Sequence, residues 1–246
     1  MPTMLAVILA AGRGTRMGAL TEHTPKPLLR LQGRPIIDHI VIGLRTAGVE
    51  AAIVITGYRG EQIEAHLGDG SQFGLRCTFR RQERPEGTAK ALLLAADVAA
   101  HQPFVLSWGD IVIEPQNYAA LTSEFARRPC DALLMVNEID DPWRGAAVYV
   151  DAEWRVVQLI EKPPRGTSQT RWNNAGIFVF TPLIFTYAER LQPSPRGEYE
   201  LPQAIAAMIR DGRTVRACAV RGFWSDVGTP EDLAVAEHAF EAQVPA

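Results

Sequence analysis

A lysine held between two prolines, Pro25-Lys26-Pro27, follows a loop that carries two glycines and two arginines, Gly12-Arg13-Gly14-Thr15-Arg16. Glycine lets the backbone reach positive φ and lets a ligand approach the amides closely. Successive N–H groups in such a turn form an anion-binding nest, and flanking arginines add charge-assisted hydrogen bonds. Lys26, on a backbone stiffened by its neighbours, supplies a positioned cation. That combination suits a polyphosphate, although an ordinary βα turn and a polar surface loop account for the glycines alone equally well. Two standard phosphate motifs are excluded. The dinucleotide fingerprint G-x-G-x-x-G has Met17 where its third glycine belongs, because Gly18 arrives one residue late. The P-loop requires a lysine directly after its second glycine, and none follows Gly18.

Other residues carry chemistry less specifically. Asp110 ends an apolar run and follows Gly109, where a carboxylate either reaches a metal over a cleft or caps a turn. Gln82 lies in the polar segment Gln82-Glu83-Arg84-Pro85-Glu86-Gly87, and its amide offers both a donor and an acceptor to a base edge. A polar loop leading into a helix explains the same residues. Glu161-Lys162-Pro163 reads equally as a surface ion pair of little energetic weight. Asn174 suits a turn.

These groups need elements to position them. The chain opens, from Leu5 up to Gly12, with a short, continuously apolar run, as in a strand buried on both faces. Proline opens a helix running to about Ala47, Ala51–Thr56 is a second buried strand, and 60–67 has helical periodicity. Further strands are expected at 75–80, 103–110, 131–137, 173–180 and 214–220. An alanine- and leucine-rich helix is expected from Gly87 to about Ala100, others at 115–128 and 182–190, and a hairpin pairs 147–150 with 156–160. A helix introduced by 196–201 carries acidic residues in its first turn, and Thr229 caps a last helix that runs to Phe240. The alternation predicts a mixed, mainly parallel α/β sheet with helices on both faces, whose ligands bind at the carboxyl ends of strands.

The chain has 246 residues, enough to bury a substantial core, and a formal net charge of −3, which gives no basic footprint for nucleic acid. No apolar run approaches a membrane span, and the apolar N-terminus lacks a basic region, so it reads as a strand and not as a signal peptide. Cys77, Cys130 and Cys218 show no CxxC spacing and suit free thiols in a reducing cytoplasm.

Taken whole, A-A-G-x-G-T-R-M followed by P-K-P-L-L resembles the signature of the sugar-1-phosphate nucleotidylyltransferases, or nucleotide-sugar pyrophosphorylases. The likeness continues through Q-x-x-P-x-G-x-A, Gly109-Asp110, Glu161-Lys162-Pro163, Asn174-Ala175-Gly176 and W-x-D-x-G-T-P-E-D-L, and so covers nearly the whole chain. It implies a Rossmann-like, mainly parallel sheet flanked by helices, with a small β-hairpin sugar-binding insertion at about 140–200, in a single catalytic domain. It implies transfer of a nucleotidyl group from UTP or dTTP to a sugar 1-phosphate, with release of pyrophosphate. Leu9, Ala11, Gly12, Gly14, Thr15, Arg16, Gln82, Gly87 and Thr88 are then nucleotide-binding, with the loop amides from Gly12 to Thr15 and Arg16 on the triphosphate and Gln82 and Gly87 on the base. Arg16, Lys26 and Lys162 are catalytic by the same implication. Gly145, Glu161, Lys162 and Asn174 take the sugar phosphate, and Asp110 and Asp226 hold Mg²⁺. Two departures stand out: Trp108 replaces the asparagine usual before Gly-Asp, and Leu201-Pro202-Gln203 replaces the usual continuation after Glu198 and Glu200. The chain ends soon after its last helix, so no β-helix acyltransferase domain is expected.

Competing readings are cytidylyl or guanylyl transfer, transfer to a non-sugar phosphate acceptor, and a catalytically silent nucleotide-sensing subunit. A dehydrogenase is disfavoured by the glycine spacing. The implied partners are small molecules, with neither nucleic acid nor membrane, and a homo-oligomer is compatible with the family.

Overall fold

The computed structural model describes residues 4–241. In chain order the strands and helices are β1 (Leu5–Ala10), β2 (Arg30–Leu31), β3 (Arg34–Pro35), α1 (Ile36–Thr46), β4 (Ala51–Thr56), α2 (Gly60–Leu67) and β5 (Arg76–Arg81). Then come α3 (Thr88–Leu93), α4 (Ala96–Ala99), β6 (Phe104–Trp108), β7 (Ile111–Ile113), α5 (Gln116–Arg127) and β8 (Ala132–Glu138). The remainder is β9 (Ala146–Val150), β10 (Val156–Glu161), β11 (Trp172–Phe180), α6 (Leu183–Glu189), α7 (Leu201–Arg210), β12 (Val215–Ala219), β13 (Trp224–Asp226) and α8 (Pro230–Glu241).

These elements form two compact units. The first takes residues up to Pro85, Ser107–Ala119 and residues from Arg221 onward; the second takes Glu86–Leu106 and Ala120–Val220. In the first, β1, β4 and β5 pair in parallel, with Leu5 opposite Ala51 and Ala51 opposite Arg76. All six residues of β1 are buried, as its unbroken apolar sequence requires of a central parallel strand. Parallel pairing puts the three carboxyl ends on one edge. A short antiparallel ribbon, absent from the sequence-based reading, joins β7 to β13 with Asp226 opposite Ile111. Thr229 caps α8 as expected, its hydroxyl accepting the Asp232 N–H at 3.2 Å.

In the second unit β8 lies between β12, parallel to it, and β11, antiparallel to it. β9 and β10 form the expected antiparallel hairpin. Phe104, Phe178, Phe180 and Phe185 make the aromatic part of this core, with ring centroids 5.1–6.1 Å apart.

Two helix expectations need correction. The helix expected from Gly87 to Ala100 is two short ones, α3 and α4, parted at Leu94–Ala95 where the backbone leaves the α-region at Ala95 (φ −99°, ψ 0°). The helix after Arg196 starts only at Leu201, so Glu198 and Glu200 precede it and its first turn holds no acidic residue. Pro202 explains the late start, since proline is favoured in a first turn and excluded from a helix interior. Among the described residues no helix is long and apolar enough to cross a membrane.

In the first unit α1 rests on the ring of Tyr118, in the opening turn of α5, through Gly43. A Cβ at residue 43 would stand 2.4 Å from the tyrosine ring. Gly43→Ala is therefore expected to overpack this contact and lower the unfolding free energy by about 2 kcal/mol, measured by denaturant titration. An unchanged midpoint would show that Tyr118 can yield.

Candidate functional site

The carboxyl edge of the first unit gathers the glycine loop after β1, Gly57-Tyr58 after β4, and Gln82 after β5. Gln82 donates its backbone N–H to Thr56 O at 2.7 Å. Leu9 contributes backbone only, since its side chain is in the core and its carbonyl accepts the Gly109 N–H at 2.9 Å. Gly12 and Thr15 are exposed, and Ala11 is half-buried. Gly14 is left-handed (φ 66°), heads the 3₁₀ turn Thr15–Thr21, and accepts the Met17 N–H at 2.9 Å. A Cβ at residue 14 would stand 3.1 Å from Lys26 Cβ, so only glycine lets the loop lie this close to the lysine.

Tyr58 fastens this loop at both ends. Its N–H donates to Ala11 O at 3.3 Å, and its hydroxyl lies 2.9 Å from Glu22 O and 3.1 Å from Thr21 O. The guanidinium groups of Arg13 and Arg59 stand over its ring at 5.3 and 5.5 Å.

Lys26 is 6% exposed, and its ammonium donates to Asp110 Oδ2 at 2.6 Å with Asp226 Oδ1 at 3.8 Å. The β7–β13 ribbon makes this trio from residues far apart in the chain: Asp110 precedes Ile111, Asp226 pairs with Ile111, and Val227 N–H donates to Asp110 O at 3.1 Å. Asp226 Oδ1 is buried without a hydrogen-bond partner. Burial and the facing Asp110 carboxylate push the Asp226 carboxyl up to about 6, against the pull of Lys26 and Arg16. Arg16 lies against Gly228, where a Cβ would stand 3.2 Å from its Nη2.

Paired carboxylates with one orphaned buried oxygen fit a hard divalent cation, and Mg²⁺ takes one or two carboxylates and completes its shell with phosphate and water. Among the described residues no cluster of three or more potential metal ligands occurs.

The second unit holds a separate cluster. Glu161 ends β10 opposite Ala146, and Asn173 of β11 is opposite Ala147. Lys162 has a positive φ of 45° just before Pro163, a strained position, and its N–H donates to Gly145 O at 2.7 Å. Gly145 is required sterically, since a Cβ there would fall 2.1 Å from Asn173 Oδ1. Asn174 Oδ1 accepts the Gly176 N–H at 3.1 Å, as a turn asparagine does, yet Asn174 Nδ2 and Asn173 Oδ1 are buried without partners. Such atoms suit a ligand bearing hydroxyl groups. Arg196 stands 3.7 Å from Glu161 and is ion-paired with Glu200. Burial pushes the Glu161 carboxyl up to about 7, although Lys162 and Arg196 oppose the shift. Gly87 packs on Tyr199, where a Cβ would stand 2.5 Å from its carbonyl oxygen, and the Thr88 hydroxyl accepts the Leu201 N–H at 2.9 Å.

A family model described as nucleotidyl transferase matches residues 5–243. The chain belongs to the nucleotidyl transferase family. A UTP–glucose-1-phosphate uridylyltransferase of Haloferax volcanii is 35% identical over 98% of this chain and 98% of its own length. A low-salt glycan biosynthesis nucleotidyltransferase of the same organism is 34% identical over 94% of this chain, and a glucose-1-phosphate thymidylyltransferase of Streptomyces griseus is 30% identical over 94%. The chain spans 64% of the length of each of these last two. Among solved structures, a Bacillus anthracis protein provisionally named a glucose-1-phosphate thymidylyltransferase, in complex with sucrose, superposes with a TM-score of 0.89. It covers 99% of this chain and 97% of its own at 27% identity. The expected Rossmann-like sheet flanked by helices is thus the fold of this nucleotidyl transferase.

In this nucleotidyl transferase Lys26, Asp110 and Asp226, with Arg16 beside them, come together in one unit, and Gly145, Glu161, Lys162 and Asn174 in the other. Gln82 belongs to the first unit, Gly87 and Thr88 to the second. Tyr58 and Arg196 escaped the sequence-based reading. The signals were an aromatic residue directly after Thr56-Gly57 at a strand end, and an arginine four residues before Glu200 in a Pro-Arg-Gly turn.

Tyr58→Ala is expected to free the glycine loop and raise the Kd for a nucleoside triphosphate about tenfold by isothermal titration, the equivalent of one or two hydrogen bonds. Tyr58→Phe, which keeps the ring under both arginines, should lose less. Glu161 gives a pH prediction. Between its ordinary value of 4.5 and its folded value of about 7, the native protein holds a proton that the unfolded chain releases. Its stabilising contribution is full below pH 4.5 and is lost as pH rises through about 7. Glu161→Gln should therefore gain stability relative to the native chain across that window, by up to roughly 3 kcal/mol in denaturant titrations. Parallel pH profiles for the two proteins would refute the buried-carboxyl assignment.

Proposed function

We propose that the chain catalyses nucleotidyl transfer from UTP or dTTP to a sugar 1-phosphate, with glucose 1-phosphate the first acceptor to examine. The observation that carries the reading is the buried Lys26 ammonium, 2.6 Å from Asp110 beside a second carboxylate and against a glycine loop. The names of the uridylyl- and thymidylyltransferase relatives support the acceptor and the base. Gln82 supports the base as well, because its amide matches the acceptor–donor edge of uracil or thymine.

An oxygen of the sugar phosphate attacks the α-phosphorus and forms a new O–P bond. The bond from α-phosphorus to the bridging oxygen breaks, and pyrophosphate leaves with the electron pair. The attacking group is already an anion, so no general base is needed, and the protein's work is positioning and charge stabilisation. The amides from Gly12 to Thr15 and the Arg16 guanidinium hold the triphosphate. Lys26 stabilises charge growing at the α-phosphoryl oxygens. Lys162, on its fixed backbone, holds the sugar phosphate, while Glu161 and Asn174 meet sugar hydroxyls. Asp110 and Asp226 would hold Mg²⁺, which supplies Lewis-acid neutralisation of phosphate charge when bound. The three free thiols take no part, since burial pushes Cys77 and Cys130 up to about 11 and Cys218 up to about 12. They suit a reducing cytoplasm. We read the whole chain as one catalytic domain with its sugar-binding subregion at about 140–200.

The test is pyrophosphate release with Mg²⁺ across several nucleoside triphosphates and a panel of sugar 1-phosphates. Release that needs one sugar phosphate, and falls about 10²–10³-fold in Lys26→Ala, is the expected result. Silence across the panel with nucleotide still bound would overturn the reading in favour of a non-sugar acceptor or a sensing role.

A further inference from the structure

The β9–β10 hairpin does not stop at its last strand pair, Ala146 with Glu161. The Lys162 N–H bond to Gly145 O carries the pairing one step further, and beyond it each arm runs into a turn. On one arm Pro142–Arg144 is a 3₁₀ turn, closed by the Gly145 N–H on Pro142 O at 3.1 Å. On the other, Thr167 donates its N–H to Pro164 O at 3.2 Å and its hydroxyl to the same oxygen at 2.7 Å. The Gly166 N–H joins the two turns by donating to Asp141 Oδ2 at 2.7 Å. Trp143, 36% exposed, lies at this junction. The Arg144 guanidinium stands over its ring at 5.2 Å and that of Arg165 at 5.6 Å.

Both arginines are exposed, and neither has a carboxylate within ion-pairing distance among the described residues. The acids close by in sequence are otherwise engaged. Glu138 and Asp140 pair with Arg171, while Asp141 has one oxygen on the Gly166 N–H and the other buried. One indole thus holds two like charges together through its ring quadrupole. Stacking on a ring leaves the in-plane N–H groups of a guanidinium open, so the pair presents two forks to an anion. The position of these forks follows from the hairpin. Arg144 directly precedes Gly145, and Arg165 follows Lys162 by three residues, so they border the Gly145–Glu161–Lys162 cluster without belonging to it. We propose that Trp143, Arg144 and Arg165 select a sugar 1-phosphate that carries a second anionic group, a carboxylate or a phosphate, remote from its anomeric carbon. The arginines bind that group, and Trp143 is the positioning residue that aims them. The inference rests on the transferase reading and names its acceptor class.

The probes are glucuronate 1-phosphate and glucose 1,6-bisphosphate, with glucose 1-phosphate as the reference. Isothermal titration is run on the full chain with α,β-methylene-UTP, whose carbon bridge prevents transfer. At least one acidic probe should bind tenfold or more tighter than the reference, and the probe that does so names the anion. In Arg144→Ser/Arg165→Ser the preference should collapse to less than twofold. In Trp143→Leu, which keeps both charges but frees them, it should fall at least threefold. A ratio of two affinities in one preparation does not depend on the fraction folded, so a variant that is only less stable keeps the native ratio. Binding of both acidic probes no tighter than the reference overturns the proposal, and so does a preference that persists in the double arginine variant. A full preference in Trp143→Leu overturns the role of the indole. Pyrophosphate release in the presence of UTP or dTTP tests the transferase reading separately: if none of the three sugar phosphates supports it, that reading fails while the titration still decides the anion site.

Discussion

A charge that is 6% exposed must be paired, and the pairing of the Lys26 ammonium shapes the first unit around it. Asp110 provides the near partner at 2.6 Å and Asp226 a second carboxylate at 3.8 Å. Two carboxylates around one ammonium leave an excess of negative charge, with Arg16 at the margin and the Asp226 carboxyl pushed up to about 6. Every nearby element serves this constraint: the two prolines hold the lysine's backbone, Gly14 lets the loop close on it, and the β7–β13 ribbon delivers both carboxylates.

The second unit is organised by strain and close approach instead. Lys162 occupies a left-handed conformation directly before a proline, which costs energy that the hydrogen bond to Gly145 O helps to offset. Gly145 in turn is fixed by the approach of Asn173. The result is a lysine, a glutamate and two buried amides held on adjacent strands of an antiparallel hairpin and its neighbour, where strand pairing defines their spacing more tightly than a loop would.

Much of the fold was legible in local sequence. The apolar run that opens the chain and the threonine-proline start of α8 each specify an element, by continuous burial or by capping, and each appears where expected. Misreadings came where local signals conflicted. Residues 87–100 have helical composition throughout, but the helix parts at Leu94–Ala95. The acidic residues before Leu201 looked like a first helical turn until Pro202 set the start later. The β7–β13 ribbon was invisible because three-residue strands carry no periodicity, and because its pairing joins segments more than a hundred residues apart.

The site divides the same way. The sequence by itself determined which chemical groups are present and which backbones are stiff or permissive: the glycine loop, the lysine between prolines, and Glu-Lys-Pro. Backbone freedom and side-chain chemistry are properties of short segments, so a string of residues suffices to announce them. Only the tertiary structure decided that Asp110 and Asp226 share one ammonium, that Tyr58 fastens both ends of the glycine loop, and that Arg196 reaches Glu161. Those facts depend on strand register and on contacts between distant segments. The physical reason is that a buried charge or an orphaned polar atom exists only once the chain has excluded water around it.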